Sequence, residues 1–195
     1  GTQAINIGQS GSAGAEIIIG AYGGGDAPVI NCANVARGVN IGTDVHHIII
    51  QDLRISNVAG STSRRGITNA TTGSSGTVDT SITIRRVTIN SVLTDSANDC
   101  NGIQLFGANN VVEACTIEDI ATDGIWYKGN NFRAERNTIR RISADGRDQG
   151  DCIQCGGASD AGVIRRNTLD HSGNGTKQCY IHNTASAGLL FEGNV

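Results

Sequence analysis

The chain has 195 residues, of which 27 are glycine, one is proline, seven are aromatic and none is methionine. This composition is typical of a fold with many tight corners around an aliphatic core. The formal net charge of -3 argues against a general nucleic-acid-binding surface, and no apolar run is long enough to predict a membrane-spanning segment.

One short pattern recurs along the chain after an opening segment at residues 10–30. It consists of a Gly or Cys, a short strand of alternating apolar residues, a second short strand, and a bend. Its six copies, named by first residue and bend residue, are Gly38 to Leu53, Gly66 to Val87, Gly102 to Cys115, Gly124 to Asn137, Cys152 to Asn167 and Cys179 to Asn194. Successive bends are at least 22 residues apart, and the longer intervals contain insertions. A constant minimal period with variable insertions indicates one solenoid domain. We expect this domain to span residues 1–195 and to be truncated at one or both ends.

The residues within each copy decide the type of solenoid. Apolar residues alternate, as in Ser81 to Ile84, and no segment has apolar residues at helical spacing over three turns. Three short strands per coil, stacked at about 4.8 Å, predict an all-β, single-stranded parallel β-helix of about six to seven coils. The predicted register places five residues in one inward column: Val39, Ile67, Ile103, Ile125 and Ile153.

The bend residues form a second predicted column. Asn137, Asn167 and Asn194 would stack at one corner as a buried amide ladder. Leu53, Val87 and Cys115 occupy the corresponding positions earlier in the chain, which makes the column polar only towards its C-terminal end.

The coil pattern resembles the right-handed parallel β-helix of the pectate-lyase-like superfamily. The opening from Ser10 to Ile30 is similar to the first coils of its secreted bacterial polysaccharide lyases. The resemblance covers nearly the whole chain, but it is a resemblance of coil pattern. It implies a right-handed helix, an acidic polysaccharide as partner, and a secreted or extracellular location, with the periplasm and the cell surface as alternatives.

Charged residues cluster beside the second strand and its bend. Arginine pairs recur at 85–86, 140–141 and 165–166. One interpretation is a solvated face that Glu113, Glu118, Asp119 and Glu135 neutralise. The other is an edge that holds an acidic polysaccharide.

The chain contains six cysteines. Alternation places Cys155 inside the coil and Cys152 on the opposite face, and no further pair or histidine cluster completes a zinc site. Cys115 is interpreted as a small core residue. Cys152 and Cys179 begin successive coils, so their Cα atoms would lie close enough for a disulfide, while a reduced pair is equally compatible.

The outward positions of the first strand in each coil predict a binding face. They carry Gln104, Phe106, Trp126, Lys128 and Gln154. Insertions precede this strand at 56–65, 90–101 and 143–150, which would place variable loops beside the face. An outward Trp126 beside a lysine is typical of a sugar platform, with Gln104 and Gln154 binding hydroxyl groups. The alternative is that the loop at 143–150 covers Trp126.

Two carboxylates precede the first strands of neighbouring coils. We expect Asp123 and Asp151 to lie about 5 Å apart, with Asp151 one position nearer its strand, an arrangement that suits general acid catalysis or calcium binding. The segments Thr122 to Ile125 and Gly150 to Ile153 are similar to two motifs of the polygalacturonase-type glycoside hydrolases. This resemblance implies that both aspartates are catalytic carboxylates. The sequence departs from the family pattern at Ala121, Gly150 and residues 177–179, and an Arg-x-Lys motif is absent.

Lyase chemistry provides another assignment. β-Elimination from a uronate needs a cation near the carboxylate and a base for the C5 proton, and a Lys or Arg base is typical of β-helix lyases. The sequence therefore predicts Lys128, Asp123 and Asp151 as catalytic residues. The predicted substrate-binding residues are Trp126, Gln104, Gln154, Arg147 and Lys177. Calcium is the one candidate cofactor, with Asp123, Asp148 and Asp151 as candidate ligands. The alternatives are a polygalacturonase-like hydrolase and a non-catalytic carbohydrate-binding or structural module, such as an adhesin, a tailspike segment or a surface scaffold.

Overall fold

The computed structural model describes residues 5–32, 35–58, 64–69, 78–93, 100–143, 150–157, 160–170, 179–182 and 187–195. Within these ranges every named element is a β-strand, and the strands form three parallel sheets. The first sheet contains β1 (Ile5–Ile7), β4 (Arg37–Ile41), β7 (Arg64–Asn69), β10 (Cys100–Phe106), β13 (Ile125–Lys128), β16 (Ile153–Cys155) and β19 (Tyr180–His182). The second contains β2 (Ile17–Gly20), β5 (Ile48–Gln51), β8 (Ile82–Arg85), β11 (Val111–Glu113), β14 (Arg133–Glu135), β17 (Val163–Arg165) and β20 (Leu190–Glu192). The third contains β3 (Val29–Asn31), β6 (Arg54–Val58), β9 (Thr88–Val92), β12 (Thr116–Ile120), β15 (Thr138–Ile142) and β18 (Thr168–Asp170).

One strand from each sheet makes a coil, and each coil stacks on the one before it. Six coils contain all three strands, and β19 and β20 belong to a seventh. The solenoid is right-handed, as crossovers between parallel strands of one sheet are. The structure thus confirms the predicted right-handed parallel β-helix of six to seven coils. The described part of the chain contains no helix with the length and hydropathy of a membrane span.

The predicted inward column is confirmed by the register of the first sheet. Val39 pairs with Ile67, Ile67 with Ile103, Ile103 with Ile125, and Ile125 with Ile153. All five side chains are fully buried. Equal spacing along the strand therefore stacks one branched aliphatic side chain on another, which continues the core through every coil.

A column of glycines runs along the corner at which each coil enters the first sheet. A Cβ atom added at Gly38, Gly66, Gly102 or Gly124 would lie 2.5 to 2.7 Å from the Cγ2 methyl group of an isoleucine in the third sheet. The closest backbone atom, a carbonyl oxygen of the next coil, would also lie within 2.7 Å. No side chain fits at such distances, so the corner requires glycine.

The sixth coil departs from this rule, and the departure corrects the predicted orientation of Cys152. Cys152 occupies the glycine position and is fully buried rather than facing outward. Strand alternation fails here because the residue lies in the corner before β16 begins. Leu169 of β18 pairs with Ile139 of β15, the isoleucine that lies against Gly124, and leucine lacks a methyl group on its Cβ atom. The sixth coil therefore lacks the Cγ2 methyl group that excludes a side chain in the fifth.

The amide ladder is confirmed. Asn167 Oδ1 accepts hydrogen bonds from the backbone nitrogen and the Nδ2 atom of Asn137, at 2.9 and 3.0 Å. Asn194 Oδ1 accepts the equivalent bonds from Asn167, at 3.0 and 2.9 Å. Asn137 and Asn167 are buried and Asn194 is partly exposed. Each amide therefore binds both the side chain and the backbone of its neighbour.

Most of the arginines that the sequence groups in pairs bind carboxylates. Arg86 donates hydrogen bonds to both carboxylate oxygens of Asp52, at 2.7 and 2.9 Å, and Arg141 does the same with Asp119, at 2.7 and 2.8 Å. The hydrogen bond from Arg141 is the main reason why the pKa of Asp119 lies below its ordinary value. Two further pairs are Arg136 with Glu113 and Arg140 with Glu118. These contacts support the interpretation of a neutralised solvated face.

Glu135 is the buried member of this charge network. Its side chain receives hydrogen bonds from Arg133 and from Nε of Arg165, the latter at 2.9 Å. Burial raises the pKa of Glu135, but the hydrogen bonds from Arg133 and Arg165 lower it, and the net result is a pKa below the ordinary value. The carboxylate thus remains charged inside the second sheet because guanidinium groups surround it.

Candidate functional site

The outer face of the first sheet brings the predicted binding residues together. Gln104 pairs with Trp126, Trp126 with Gln154, and Phe106 with Lys128. Their side chains share the outward parity of adjacent strands, which are about 4.8 Å apart. We call this set, Gln104, Phe106, Trp126, Lys128 and Gln154, the outer face.

Trp126 is held between two coils. Its ring contacts that of Phe106 edge-on, with centroids 5.0 Å apart and an interplanar angle of 84°. On the other side the indole lies over Gly156, where an added Cβ atom would be only 2.6 Å from the ring. Trp126 is consequently half-buried and has a fixed orientation, with part of its surface open to solvent.

Lys128 lies beside Trp126 on β13 and likewise packs over a glycine of the sixth coil. Its aliphatic chain passes over Gly157, where an added Cβ atom would lie 2.5 Å from Cε. Two successive glycines of the sixth coil therefore provide the space for Trp126 and Lys128. The sequence does not show this, because the glycines lie some 30 residues further along the chain.

A buried network fixes Phe106 in its position. The amide of Asn69 accepts a hydrogen bond from the backbone nitrogen of Phe106 and donates one to its carbonyl oxygen, both at 2.8 Å. Thr80 Oγ1 and Asn110 Nδ2 donate to the same carbonyl oxygen, each at 3.2 Å. The end of β10 is thereby anchored, and with it the ring that supports Trp126.

A groove next to the outer face contains residues that the sequence analysis missed. Its volume is about 250 Å³, and Arg37, Asn40, Arg65, Thr68, Asn69, Gln104 and Phe106 line it. We call it the arginine groove. Arg37 Nη1 donates to Asn40 Oδ1 at 3.0 Å, and Arg65 Nε donates to Gln104 Oε1. None of the described residues that line it is acidic.

The repeat itself contained the signal for this groove. The residue before the corner position is Arg37 in the second coil, Arg65 in the third, Asn101 in the fourth, Asp123 in the fifth and Asp151 in the sixth. The register confirms that Arg37 pairs with Arg65 and Arg65 with Asn101. One column of the solenoid thus changes from cationic to neutral to anionic along its axis.

The two aspartates of this column are level, which corrects the expected offset of one position. Ile125 pairs with Ile153, so that Asp123 and Asp151 each stand two residues before a paired isoleucine. The backbone nitrogen of Asp151 donates to Asp123 Oδ1 at 3.0 Å. Asp123 therefore stabilises the turn of the next coil. The aspartates stand at the start of the strand and Lys128 at its end, on the order of 15 Å away.

Three of the predicted site residues, Arg147, Asp148 and Lys177, lie outside the described residues, as does most of the loop expected to cover Trp126. In the described ranges no group of three His, Cys, Asp or Glu residues is arranged to hold a metal ion. The predicted calcium site remains a prediction.

The cysteines are free thiols in the structure. Burial raises the pKa of Cys115 to about 12, although hydrogen bonds from the surrounding backbone partly oppose the shift. Cys115 is therefore a core residue, as predicted, and its thiolate is not available at neutral pH.

Comparison with known proteins identifies the architecture. No protein-family model matches the sequence, and no curated protein matches it. Among solved structures, the crystal structure of a GH136 lacto-N-biosidase from Eubacterium ramulus is similar, with a TM-score of 0.66 and 13% sequence identity. The alignment covers 99% of this chain and 48% of that protein, so the chain spans about half its length. At this identity the likeness shows the β-helix fold, while membership of the pectate-lyase-like superfamily stays a prediction.

Proposed function

We propose that the protein binds an acidic polysaccharide along the outer face and cleaves it by β-elimination, in a secreted or extracellular setting. The observation that carries the proposal is the fixed placement of Trp126 and Lys128 side by side above two glycines, with Gln104 and Gln154 on either side of Trp126. A fixed aromatic surface next to a cationic group suits a ligand that combines apolar C–H groups with negative charge.

The binding chemistry follows from these side chains. The exposed part of the Trp126 indole offers an apolar surface to the C–H groups of a pyranose ring, and the partly exposed Gln154 offers a donor and an acceptor to its hydroxyl groups. Gln104 is buried and accepts a hydrogen bond from Arg65, so its amide supports the face from below. Phe106 stiffens the platform from the side. A preorganised aromatic surface costs little conformational entropy when the ligand binds.

Lys128 supplies the base for the elimination. In its neutral form the amine takes the proton from C5 of a uronate, and the electron pair forms the C4–C5 double bond. The C4–O bond breaks, and the leaving sugar oxygen takes up a proton from the lysine ammonium. Together the two products contain all the atoms of the substrate, and no water is consumed.

Asp123 and Asp151 are the candidate calcium ligands in the described part of the chain. Calcium bound there would lie on the order of 15 Å from Lys128. It would therefore bind the carboxylate of another sugar of the chain and not that of the uronate from which Lys128 takes the proton. The GH136 neighbour is a lacto-N-biosidase, a carbohydrate-active enzyme, and supports the polysaccharide class only as a fold-level analogy.

The test compares three variants in binding and turnover. Trp126→Ala should weaken binding of uronate oligosaccharides by roughly 10- to 100-fold, the scale of a lost stacking surface. Lys128→Ala should lower kcat strongly with little change in KM, because the base acts in the transition state. Tyr22→Ala, which removes a fully exposed aromatic ring outside the outer face, is the matched control and should change neither.

A glycoside hydrolase is the second candidate, because Asp123 and Asp151 lie level in adjacent coils. Two carboxylates on adjacent coils, which are about 4.8 Å apart, suit the acid and nucleophile roles of a retaining glycosidase. Hydrolysis adds water across the bond and produces a new reducing end, whereas elimination produces an unsaturated uronate that absorbs ultraviolet light. Products that have new reducing ends but no ultraviolet absorbance would indicate hydrolysis. If Asp151→Asn abolishes this activity and Lys128→Ala retains it, the protein is a hydrolase and the lyase assignment is wrong.

A further inference from the structure

We propose that Cys152 and Cys179 form a disulfide bond that links the sixth coil of the solenoid to the seventh. The inference goes beyond the polysaccharide function and does not depend on it, because the bond lies at a corner of the solenoid and involves no residue of the outer face. It assigns a covalent modification to two residues that the structure contains as thiols.

The two cysteines occupy the same column of the solenoid. Ile153 pairs with Tyr180. Cys152 and Cys179 directly precede these residues, so they stand at the same corner of adjacent coils. The backbone nitrogen of Ile153 donates to the carbonyl oxygen of Cys179 at 3.1 Å, which holds the two corners together. Adjacent strands are about 4.8 Å apart, and Cα atoms joined by a disulfide are usually about 4.4 to 6.8 Å apart. The backbone therefore satisfies the distance requirement.

The direction of the Cys152 side chain follows from the glycines of the same corner. A Cβ atom added at Gly102 would lie 2.7 Å from the carbonyl oxygen of Gly124, and one added at Gly124 would lie 2.6 Å from that of Cys152. At this corner a Cβ atom thus points along the axis, towards the corner residue of the next coil. Cys152 holds the same position in the sixth coil, so its Cβ atom is directed towards Cys179.

The Cys179 thiol is turned back towards the sixth coil. Its Sγ atom donates to the carbonyl oxygen of Leu169, in β18 of that coil, at 3.6 Å. Burial is the main reason why the pKa of Cys152 lies above its ordinary value, and the charge of Cys179 and a hydrogen bond between the two thiols add to the shift. The two thiols are therefore close enough to interact directly.

Cys155 is the competing partner for Cys152, because it lies only three residues further along the chain. Three steps along an extended chain span about 10 Å, which exceeds the Cα separation of a disulfide. Cys155 Sγ donates instead to the carbonyl oxygen of Gly157, at 3.0 Å. In the register of the first sheet Cys155 pairs with Tyr127 and His182, so it belongs to another column. The geometry thus favours the bond between coils over a bond within one coil.

The bond forms by thiol–disulfide exchange with a small disulfide such as oxidised glutathione. The thiolate of exposed Cys179 attacks this disulfide, its S–S bond breaks, and one glutathione leaves. The Cys152 thiolate then attacks Cys179 Sγ, and the second glutathione leaves. The two cysteines lose two protons and two electrons, and one oxidised glutathione becomes two reduced molecules. Because the pKa of Cys152 is raised, its thiolate is scarce as attacking group and poor as leaving group. The bond therefore forms slowly in the folded protein and resists reduction.

The experiment incubates the reduced protein with oxidised glutathione, both folded and during refolding, and maps its peptides by mass spectrometry without reduction. We expect a cross-linked pair of peptides that joins Cys152 to Cys179 and lacks two hydrogen atoms. The two cysteines are 27 positions apart, so closing this loop should raise the unfolding temperature by about 5 to 10 °C over that of the reduced protein. Cys179→Ala should abolish this gain. Cys155→Ala is the matched control in the sixth coil and should retain it.

Three results would contradict the proposal. The first is a bond between Cys152 and Cys155. The second is a glutathione adduct on Cys179 that forms no cross-link even when the protein is refolded with the oxidant. The third is an equal gain in unfolding temperature in Cys179→Ala, which would show that another pair of cysteines stabilises the oxidised protein. None of these results decides the polysaccharide function, which depends on the outer face.

Discussion

Replacing Asn167 by leucine removes the centre of the amide ladder. The Oδ1 atom of Asn167 accepts two hydrogen bonds from Asn137, and its Nδ2 atom donates to the carbonyl oxygen of Ala134 and to Asn194 Oδ1, both at 2.9 Å. Leucine has the same number of side-chain heavy atoms as asparagine but neither a donor nor an acceptor. The substitution therefore deletes four hydrogen bonds while it keeps the branched shape of the side chain.

The cost can be worked out bond by bond. The backbone N–H of Asn137 loses the Asn167 acceptor in a site that is inaccessible to water, at about 1 to 3 kcal/mol. Asn137 Nδ2 keeps its bond to the carbonyl oxygen of Val112, at 3.0 Å, and Asn194 Oδ1 keeps the backbone nitrogen of residue 167. These partly satisfied groups add about 1 kcal/mol. We expect a total destabilisation of about 2 to 4 kcal/mol.

Urea unfolding measures this cost. Trp126, the only tryptophan, lies in the same coil as Asn137 and reports on that coil by fluorescence. The midpoint should fall with little change in the slope of the transition. Asn194→Leu is the graded control, because Asn194 is partly exposed and water can replace its bonds, so it should cost less than half as much. An unchanged midpoint for Asn167→Leu, or equal costs for both variants, would refute the reasoning.

Three further predictions follow from the packing and the charges. The pKa of Glu135 is lowered in the folded chain, so its carboxylate stabilises the fold above its unfolded-state pKa of about 4.3, and this contribution is lost as the pH falls below that value. The destabilisation caused by Glu135→Gln should accordingly be larger at pH 7 than at pH 3 in urea unfolding, and equal values would contradict it. Gly124→Ala places a Cβ atom 2.6 Å from the Ile139 Cγ2 methyl group and should destabilise by about 1 to 3 kcal/mol, with partial recovery in the double variant with Ile139→Leu. Alkylation mapped by mass spectrometry at neutral pH should modify exposed Cys179 in the folded protein and Cys115 only after unfolding, and early modification of Cys115 would show that its coil opens.

The sequence alone was sufficient to predict the coil and the columns of stacked side chains that run along it. Side chains in a strand alternate with a period of two, so the position of Ile103 within its copy of the repeat already implies its stacking on Ile125. The same reasoning placed Asn137 below Asn167. These relations are local, because equivalent positions in successive copies have the same backbone conformation. They also placed Gln104, Trp126 and Gln154 on one face.

Only the tertiary structure decided what lies next to each position across the coil and beyond the strand. Cys152 is buried at a corner, to which strand alternation does not extend, and in that coil the third sheet has Leu169 in place of an isoleucine. Arg37 and Arg65 share a groove because the step of 28 residues from one to the other closes one turn of the solenoid. Such contacts depend on side-chain volume and charge brought together from distant segments. The local period of the sequence determines which face a residue occupies, whereas the closed coil determines its neighbours.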